Sequence, residues 1–397
     1  MAHEVTSEDL LERVQQLAPV IREYADCGEQ ERHLADPVVE VLWKAGLYRL
    51  LIPRALGGLQ VDPLTYYHVL EALARVDGST AWCVFISDSV SLSLAFLQAE
   101  AVEAICGNGA RVLISATAFP FGRAEPQAGG YRVSGHWSYA SGCWHSTWHM
   151  AFCHVYEAGT TEPRLDSAGK PELVMAYVPR SQVQILDTWQ VSGLCATGSH
   201  DVEVPEVFVP EAFVWKSPPH ASRGSHFGDS LYRFPFLGLY GWPIAAVALG
   251  IAQGAIDEIT RMTQHKASPQ APGTLRERPL FQTQLAQAVA LVRSAKAWLY
   301  EVVTKVGEKT VDEAEVSSEE RAEFLLAATN ATRSSAAAVE LAYTAGGASA
   351  NYRKSPLQRQ MRDIHAVTQH IVTAPMQYET SGRLLLGLPL EDPFMLL

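Results

Sequence analysis

The middle of the chain, residues 131–156, has the sequence YRVSGHWSYASGCWHSTWHMAFCHVY. Apolar and polar residues alternate on both sides of a short segment rich in Ser, Gly and Cys, which predicts two strands joined by a turn. From about residue 111 the apolar period stays close to 2. The predicted strands are Val112–Ala118, Tyr131–Tyr139, Trp148–Tyr156, Leu173–Val178 and Asp201–Val209. These strands predict a β-domain in the middle of the chain.

Helical patterns lie on both sides of this β-domain. Before it, Asp36 is expected to cap a helix that begins at Pro37 and ends at Gly46, and Asp62-Pro63 repeats the arrangement. After it, apolar residues recur at helical spacing over 244–259 and 285–295. The sequence therefore predicts an N-terminal helical domain at 1–110, a β-domain at 111–216 and a C-terminal helical bundle domain at 217–397.

Composition limits the possible partners. The 397 residues are 48% hydrophobic and 19% charged, as in ordinary globular proteins. The formal net charge is -12 and the basic residues are scattered, which argues against a nucleic-acid partner. No targeting signal or membrane-spanning segment is predicted, and the six cysteines have no zinc-site spacing, so a cytoplasmic protein with reduced cysteines and no metal is expected.

Three motifs suggest chemistry but fail on geometry. The Gly-Asn-Gly sequence at 107–109 precedes a strand, whereas a dinucleotide fingerprint follows one, so no NAD(P)H site is predicted. Ser199, His200 and Asp201 are consecutive, and neighbours on an extended chain face opposite ways, which excludes a catalytic triad. His365 and His370 are expected on one helix about 140° apart, which argues against a shared metal ion.

Aromatic residues are concentrated in residues 136–149. Three of the nine tryptophans lie there with Tyr139 and three histidines. A strand turn rich in rings suits a flat aromatic ligand. The alternative is an aromatic cluster that packs in the core of the β-domain.

Three segments carry a resemblance to a known family: SGHWSYASGC at 134–143, WQVSGLCATGSHD at 189–201, and LQR at 357–359 followed by Arg362 and Asp363. In them the chain resembles the group D flavin monooxygenases, which share the acyl-CoA dehydrogenase fold. The group includes the oxygenases of p-hydroxyphenylacetate and secosteroid hydroxylation and dibenzothiophene monooxygenase. The resemblance implies a mainly α protein with a middle β-domain and a C-terminal four-helix bundle that forms a homotetramer.

The resemblance also implies which residues surround the flavin ring, between the β-domain and the bundle. The flavin-binding positions are Trp82, Ala116, Thr117, Ala118, Tyr139, Ala140, Ser141, Lys266, Ala348, Ser349, His370 and Ile371. Residues 139–141 are expected to face the N5 edge of the ring with backbone donors and the Ser141 hydroxyl. Lys266 replaces an Arg that reaches the flavin phosphate in relatives. Residues 348–349 and 370–371 are expected to come from a neighbouring subunit or from the far end of the bundle.

The implied activity is that of the oxygenase component of a two-component flavin monooxygenase. A separate NAD(P)H-dependent reductase supplies reduced flavin, FMNH2 in preference to FADH2. With O2 this forms a C4a-hydroperoxyflavin that oxygenates a small aromatic or heteroaromatic substrate or a heteroatom. Such chemistry needs a hydrogen bond near N5 and an acid or base, and Ser141 and His370 are the catalytic candidates. His370 is predicted to titrate near neutral pH, and the alternative is that it only hydrogen-bonds the cofactor.

The substrate class and two other functions stay open. Phenol-hydroxylating relatives carry a His on the helix after Trp82, whereas residues 85–95 contain none, so N-hydroxylation or attack on a heteroaromatic ring is possible. Acyl-CoA dehydrogenases place a Glu nine residues after the Arg of their Arg-Asp pair, but here Ile371 occupies that position. A non-catalytic helical scaffold would carry bulky or charged residues in place of Trp82, Ser141 and His370.

Overall fold

The computed structural model describes residues 5–167, 169–216, 230–263 and 274–390. Lys266 and most of the loop before the bundle lie outside these ranges. Helices form the first part of the chain: α1 (Ser7–Glu31), α2 (Asp36–Lys44), α3 (Pro63–Val76), α4 (Gly78–Ser91) and α5 (Ala99–Cys106). Strands form the middle and helices return after it, so the prediction of a mainly α fold with a middle β-domain is confirmed.

Short polar side chains fix the starts of α3 and α4. Asp62 accepts a hydrogen bond from the Thr65 amide, and Asp77 accepts one from the Thr80 amide. The prediction that Asp36 caps α2 is wrong, because Asp36 is the first residue of that helix and Ala35 is its N-cap. The Asp36 carboxylate lies instead in the first turn of the helix, where a negative charge interacts favourably with the helix dipole.

Among the described residues, seven strands form one sheet in the order β5-β6-β2-β1-β3-β4-β7. They are β1 (Ile114–Gln127), β2 (Gly130–Trp137), β3 (Trp148–Val155), β4 (Leu173–Pro179), β5 (Gln184–Leu186), β6 (Asp201–Pro210) and β7 (Val214–Lys216). β1 pairs antiparallel with β2 and parallel with β3, with an irregular register between Thr117 and Gly122. All five predicted strands are present, but β1 continues further to Gln127, and the three-residue strands β5 and β7 were not predicted.

The last part of the chain forms the bundle. Its helices are α6 (Phe236–Tyr240), α7 (Ile244–Met262), α8 (Pro279–Val311), α9 (Ser318–Gly346), α10 (Pro356–Val367) and α11 (Met376–Leu385). α9 packs against α7, α8 and α10, and α7 also packs against α3 of the first domain. This last contact is close because a Cβ at Gly250 would lie 2.3 Å from the Glu71 carbonyl oxygen. Glycine therefore lets α7 join the bundle to the N-terminal helices.

Two helical segments, Gly78–Phe96 and Phe236–Met262, are long and apolar enough to cross a membrane. The sequence prediction found no such segment, so this part of it was wrong. In the structure the two segments are 89% and 83% buried inside the fold. Their apolar surface is used by the core, which places the start of α4 and the start of α7 at the centre of the molecule.

Candidate active site

Three predicted site residues from distant parts of the sequence meet where the three parts of the fold join. Trp82 lies on α4, Ser141 follows β2, and His370 follows α10. The Trp82 indole Nε1 donates to Ser141 Oγ at 3.1 Å. The rings of Trp82 and His370 meet edge to face, with their centroids 5.6 Å apart. An indole, a hydroxyl and an imidazole therefore share one location.

The position of Trp82 follows from the close packing of α4. The helix is buried along almost all its length, and the Trp82 ring also meets Phe85 edge to face at 5.9 Å. At Gly78 an added Cβ would lie 2.9 Å from Ile251 Cδ1 on α7. The absence of a side chain there lets α4 approach the bundle, and this brings Trp82 to His370.

The turn after β2 holds Ser141 through its backbone. The Ala140 amide donates to the His200 carbonyl at 3.0 Å, and the Gly142 amide donates to the Thr197 carbonyl at 2.8 Å. The Ser141 amide donates at 2.8 Å to the carbonyl of Tyr139, which has a positive φ of 65°. Of the backbone donors expected at residues 139–141, those of Ala140 and Ser141 therefore already have partners within the protein.

A line of hydroxyl groups leads away from Ser141 into the β-domain. Ser141 Oγ lies 2.7 Å from Ser199 Oγ, which lies 2.7 Å from Thr197 Oγ1. Thr197 Oγ1 donates to the Leu194 carbonyl at 2.8 Å. All three side chains are buried. In the sequence Ser199 stands out only as a member of the apparent triad and Thr197 does not stand out, although the small residues at 197–199 indicate close packing.

Leu194, at the end of this line, is tied to the bundle. It has a left-handed backbone with φ of 51°, and its amide donates to Asp363 Oδ1 on α10 at 2.6 Å. Burial first, and then the nearby charge of Asp77, raise the pKa of Asp363 to about 7. The Arg-Asp pair that carried part of the resemblance thus supports the loop behind Ser141.

His370 lies in a turn rather than on the helix expected to hold it. α10 ends at Val367, and His370 is the N-cap of a short 3-10 turn at Ile371–Thr373. The expected angle of about 140° between His365 and His370 around one helix is therefore wrong. His365 is exposed, and its Nε2 lies 3.5 Å from Glu340 Oε1. Only His370 reaches Trp82.

The environment of His370 also fixes its protonation. Its Nδ1 accepts from the Val372 amide at 3.4 Å, which leaves the hydrogen of the neutral ring on Nε2. Burial lowers the pKa of His370 to about 4. The expectation that this imidazole titrates near neutral pH is wrong, because the charged form loses its hydration in this apolar place. His370 offers a neutral N–H donor.

The end of the first strand segment provides an unpaired hydroxyl. Ala116 and Thr117 are buried, and Thr117 Oγ1 has no hydrogen-bond partner among the described atoms. A buried hydroxyl without a partner costs about 1 to 3 kcal/mol, so a polar ligand atom would stabilise this arrangement. The side chain of Ala118 and all of Lys266 lie outside the described part of the chain.

Two of the remaining predicted positions, Ala348 and Ser349, lie apart from this location, whereas Ile371 directly follows His370. Ala348 is exposed and Ser349 is half-buried, just before α10, whereas His370 follows its far end. The 12 residues of α10 span about 18 Å at the helical rise of 1.5 Å per residue. Ile371 is 46% exposed. Within one chain the structure therefore does not bring residues 348–349 to the Trp82 and His370 pair.

Most rings of the aromatic stretch serve packing. The Trp137 side chain is fully buried and donates to the Phe152 carbonyl, Trp144 stacks on His33, and Trp148 stacks on Phe213. Tyr139 and Trp144 differ because they are 70% and 50% exposed. Tyr139 meets Trp189 edge to face with centroids 6.1 Å apart. The packing alternative thus holds for Trp137, while Tyr139 and Trp144 stay exposed rings.

The other motifs behave as their geometry required. His200 Nδ1 accepts from the Trp189 amide, and Asp201 Oδ2 meets His136, so Ser199, His200 and Asp201 have separate partners. All six cysteines are unpaired. Within the described ranges no group of three or more His, Cys, Asp or Glu is placed to hold a metal ion.

The residues that do meet are suited to a flat, partly polar cofactor. Two aromatic rings supply flat surfaces, and Ser141 and His370 supply a hydroxyl and an N–H group for polar ring atoms. On one side Ser141 borders a closed space of about 10 Å³, lined also by Cys83 and Ser87, which is room for one water molecule. A ring must therefore approach Ser141 from another side. The group would fit a flavin.

Comparison with known proteins gives consistent matches over the whole chain. The family description "Acyl-CoA dehydrogenase, N-terminal domain" matches residues 8–101, and "Acyl-CoA dehydrogenase, C-terminal domain" matches residues 243–375. The chain is 31% identical over 371 residues to an indole-3-acetate monooxygenase of Pseudomonas putida, covering 92% of this chain and 91% of that protein. It is 29% identical to the flavin-dependent monooxygenase oxygenase subunit HsaA of Rhodococcus jostii, covering 96% and 99%. The crystal structure of a 3-HSA hydroxylase from Rhodococcus sp. RHA1 is similar over 100% of both chains, with a TM-score of 0.87 at 29% identity.

Proposed function

This chain belongs to the acyl-CoA dehydrogenase family and, within it, to the flavin-dependent monooxygenases, as an oxygenase component; on that premise we propose that Trp82, Ser141 and His370 hold its reduced flavin. The observation that carries this proposal is the meeting of these three side chains where the three parts of the fold join. The family gives the reaction class. The residues and their roles are our assignment.

Each residue has a role that its own contacts support. The bound reduced flavin supplies the electrons that activate O2 so that one oxygen atom passes to the substrate. Trp82 covers the ring and orients the Ser141 hydroxyl through its indole N–H. His370 keeps a neutral Nε2–H that donates a hydrogen bond without adding a charge to the apolar site. The buried surroundings of these groups exclude water, which strengthens each hydrogen bond.

We propose a small aromatic or heteroaromatic substrate. Aromatic rings line the junction of the β-domain with α6, which packs against α4. Phe236 and Tyr240 stack with centroids 4.7 Å apart, and Tyr240 also meets Phe152. Such rings favour a flat apolar partner. Ile371 occupies the position where dehydrogenases carry their Glu, so α-proton abstraction from an acyl-CoA lacks its base there.

Flavin binding tests the site assignment. We expect anaerobic titration to show tight binding of reduced FMN or FAD by the wild-type protein, weakened about tenfold in Ser141→Ala and in Trp82→Phe, which loses the indole N–H. Trp43→Phe is the matched control, because Trp43 lies on α2 and should leave affinity unchanged. Equal affinity in all four proteins would remove these residues from the site.

Turnover tests the two-component reaction. The protein alone with NADH and free flavin should not oxidise NADH. With a flavin reductase it should convert an indole or phenol with oxygen uptake, and an acyl-CoA should give no product. Robust NADH oxidation by this chain alone, or dehydrogenation of an acyl-CoA, would contradict the proposed reaction.

We further propose that the chain forms a homotetramer. Ala348 and Ser349 cannot reach the Trp82 and His370 pair of their own chain, so they would complete a neighbour's site. An exposed apolar surface on and after α11 supports a helix-to-helix contact; its residues are Met376, Tyr378, Leu385, Leu386 and Leu388. The cytoplasmic location stays a prediction.

A further inference from the structure

The buried hydroxyl groups of Ser141, Ser199 and Thr197 form a hydrogen-bonded line that leads away from the site. We propose that Ser199 and Thr197 are positioning residues that fix Ser141 as a hydrogen-bond acceptor toward flavin N5, so that the site selects reduced over oxidised flavin. The inference rests on the proposed placement of the flavin ring against Ser141. It concerns how two residues outside the site set the chemistry of one residue inside it.

The direction of hydrogen-bond donation along this line is fixed at both of its ends. At one end the Trp82 indole N–H can only donate, so Ser141 Oγ accepts from it. At the other end the Leu194 carbonyl can only accept, so the single hydroxyl hydrogen of Thr197 is committed to it. Because each hydroxyl group has a single hydrogen, each hydroxyl between Trp82 and Leu194 must donate toward the Leu194 end.

The hydroxyl hydrogens can then be assigned one by one. With its own hydrogen on Leu194, Thr197 accepts from Ser199 at 2.7 Å. With its hydrogen on Thr197, Ser199 accepts from Ser141 at 2.7 Å. Ser141 therefore has no hydrogen left to donate and keeps one free lone pair. Reversing the line would give up the bond from Thr197 to Leu194 in a buried place, which disfavours the reversed arrangement.

A fixed acceptor distinguishes the two redox states of flavin. Reduced flavin carries a hydrogen on N5 and can donate to the Ser141 lone pair. Oxidised flavin has only a lone pair on N5, so two acceptors would face each other without a hydrogen between them. The site then binds the form that a reductase delivers and releases the form that remains after turnover.

The far end of the line is held firmly enough to keep this direction. The Leu194 carbonyl accepts not only from Thr197 Oγ1 but also from the Thr197 amide at 3.1 Å and from Trp189 Nε1 at 3.2 Å. The Leu194 amide is bound to Asp363 on α10. These contacts hold the Leu194 carbonyl in a fixed position as the acceptor of the Thr197 hydroxyl.

The test compares affinities for oxidised and reduced FMN, measured anaerobically, in the wild type and two variants. Ser199→Ala removes the acceptor for the Ser141 hydrogen and frees it to donate to oxidised N5. Thr197→Val leaves Ser141 and Ser199 in place but removes the fixed end of the line. In both we expect the ratio of the dissociation constants, oxidised over reduced, to fall about tenfold, which lowers the midpoint potential of bound flavin by about 30 mV.

Two control variants distinguish an effect of hydrogen-bond direction on the affinity ratio from an effect of altered packing. Thr197→Ser keeps the hydroxyl and should keep the wild-type ratio. Ser146→Ala removes another buried serine of the same turn, whose hydroxyl donates to the Cys143 carbonyl, and should also keep it. The thermal midpoint of each variant shows that it is folded.

The outcomes separate this inference from the proposed function. A tenfold fall in the ratio in Ser199→Ala and Thr197→Val, with both controls unchanged, supports the inference. If Ser141→Ala weakens reduced flavin but the two variants keep the wild-type ratio, the proposed site stands and the inference fails. If the wild type binds neither form of FMN, or if Ser141→Ala changes neither affinity, the proposed site fails and the inference fails with it.

Discussion

His370 is placed to donate a hydrogen bond rather than to exchange a proton. Its Nδ1 is occupied by the Val372 amide, so the ring hydrogen sits on Nε2. With a pKa of about 4 the ring stays neutral across the physiological range. A hydrogen-bond donor with no charge suits an apolar site, where a cation would be costly to bury.

This role predicts how His370 variants divide reducing equivalents between product and hydrogen peroxide. His370→Ala should bind flavin but give mainly peroxide, whereas His370→Gln, whose amide can donate from a similar position, should keep much of the coupling. The yield per flavin oxidised, followed from pH 6 to 8, should show no ionisation that depends on His370. His365→Ala is the control and should change the yield little. A loss of coupling in His365→Ala alone would contradict the assignment.

Asp363 makes a second prediction, about stability and pH. Its pKa of about 7 lies above the value near 4 of an unfolded Asp, so between these pH values only the folded protein holds this proton. The contribution of the group is complete below pH 4 and is lost at about 1.4 kcal/mol per pH unit as pH rises to 7. Asp363→Asn cannot titrate and should show a flatter decline.

Thermal midpoints measured between pH 4.5 and 7.5 check this expectation. The matched control is Asp257→Asn, which removes a partly exposed carboxylate that pairs with Arg75 on the surface. Parallel curves for the wild type and Asp363→Asn would show that Asp363 does not hold a proton in the folded state.

At the scale of single residues, the sequence predicted which side chains meet. It predicted their protonation states less well. Trp82, Ser141 and His370 came from motifs and do converge. The protonation state of Asp363 depends on burial and on the charge of Asp77 far away in the chain, and that of His370 depends on burial. No local pattern encodes such contacts.

Among the helices and strands, the predictions agreed with the structure where the local sequence signal was strong. The Asp62 cap was predicted because a short polar side chain can bond only its own helix start. The end of α10 was missed, since Thr368 and Gln369 carry no Gly or Pro stop signal. There the Thr368 side chain donates to the His365 carbonyl, and the helix is followed by the turn that carries His370.

The contact between the loop at 189–194 and α10 yields a prediction at this scale. A Cβ at Gly193 would lie 2.1 Å from the Arg362 carbonyl oxygen, which is backbone and cannot move alone. Gly193→Ala should therefore push the loop off α10, break the bond between Leu194 and Asp363, and destabilise the protein by about 2 kcal/mol or more. Its affinity for reduced flavin should fall as well.

Gly307→Ala on α8 is the matched comparison. No atom of the described residues outside this stretch of helix lies within 4 Å of the added methyl group, so the change should stabilise the helix by up to about 1 kcal/mol. Thermal midpoints and flavin titration of both variants check the pair. A Gly193→Ala protein as stable as the wild type would show that the loop is not held against α10.

At the scale of the whole molecule, the exposed apolar surface of α11 bears on assembly. Leu385 and Leu386 are each 77% exposed. If this surface is covered in a homotetramer, Leu386→Glu should lower the mass measured by light scattering and, because Ala348 and Ser349 would no longer reach a neighbour, weaken flavin binding. Leu165→Glu, at an exposed position of the β-domain, should do neither. A wild-type monomer that binds flavin tightly would contradict the tetramer.

Trp82, Ser141 and His370 come from three different parts of the chain, so a flavin bound among them would be a mechanical link as well as a reagent. A ligand that touches all three binds only when they are docked, so its binding energy adds to the energy that keeps them together. A ligand at a hundred times its dissociation constant contributes about 2.7 kcal/mol in this way. Each cycle of flavin loading and release would then tighten and loosen the whole subunit, and resistance to proteases should rise and fall with it.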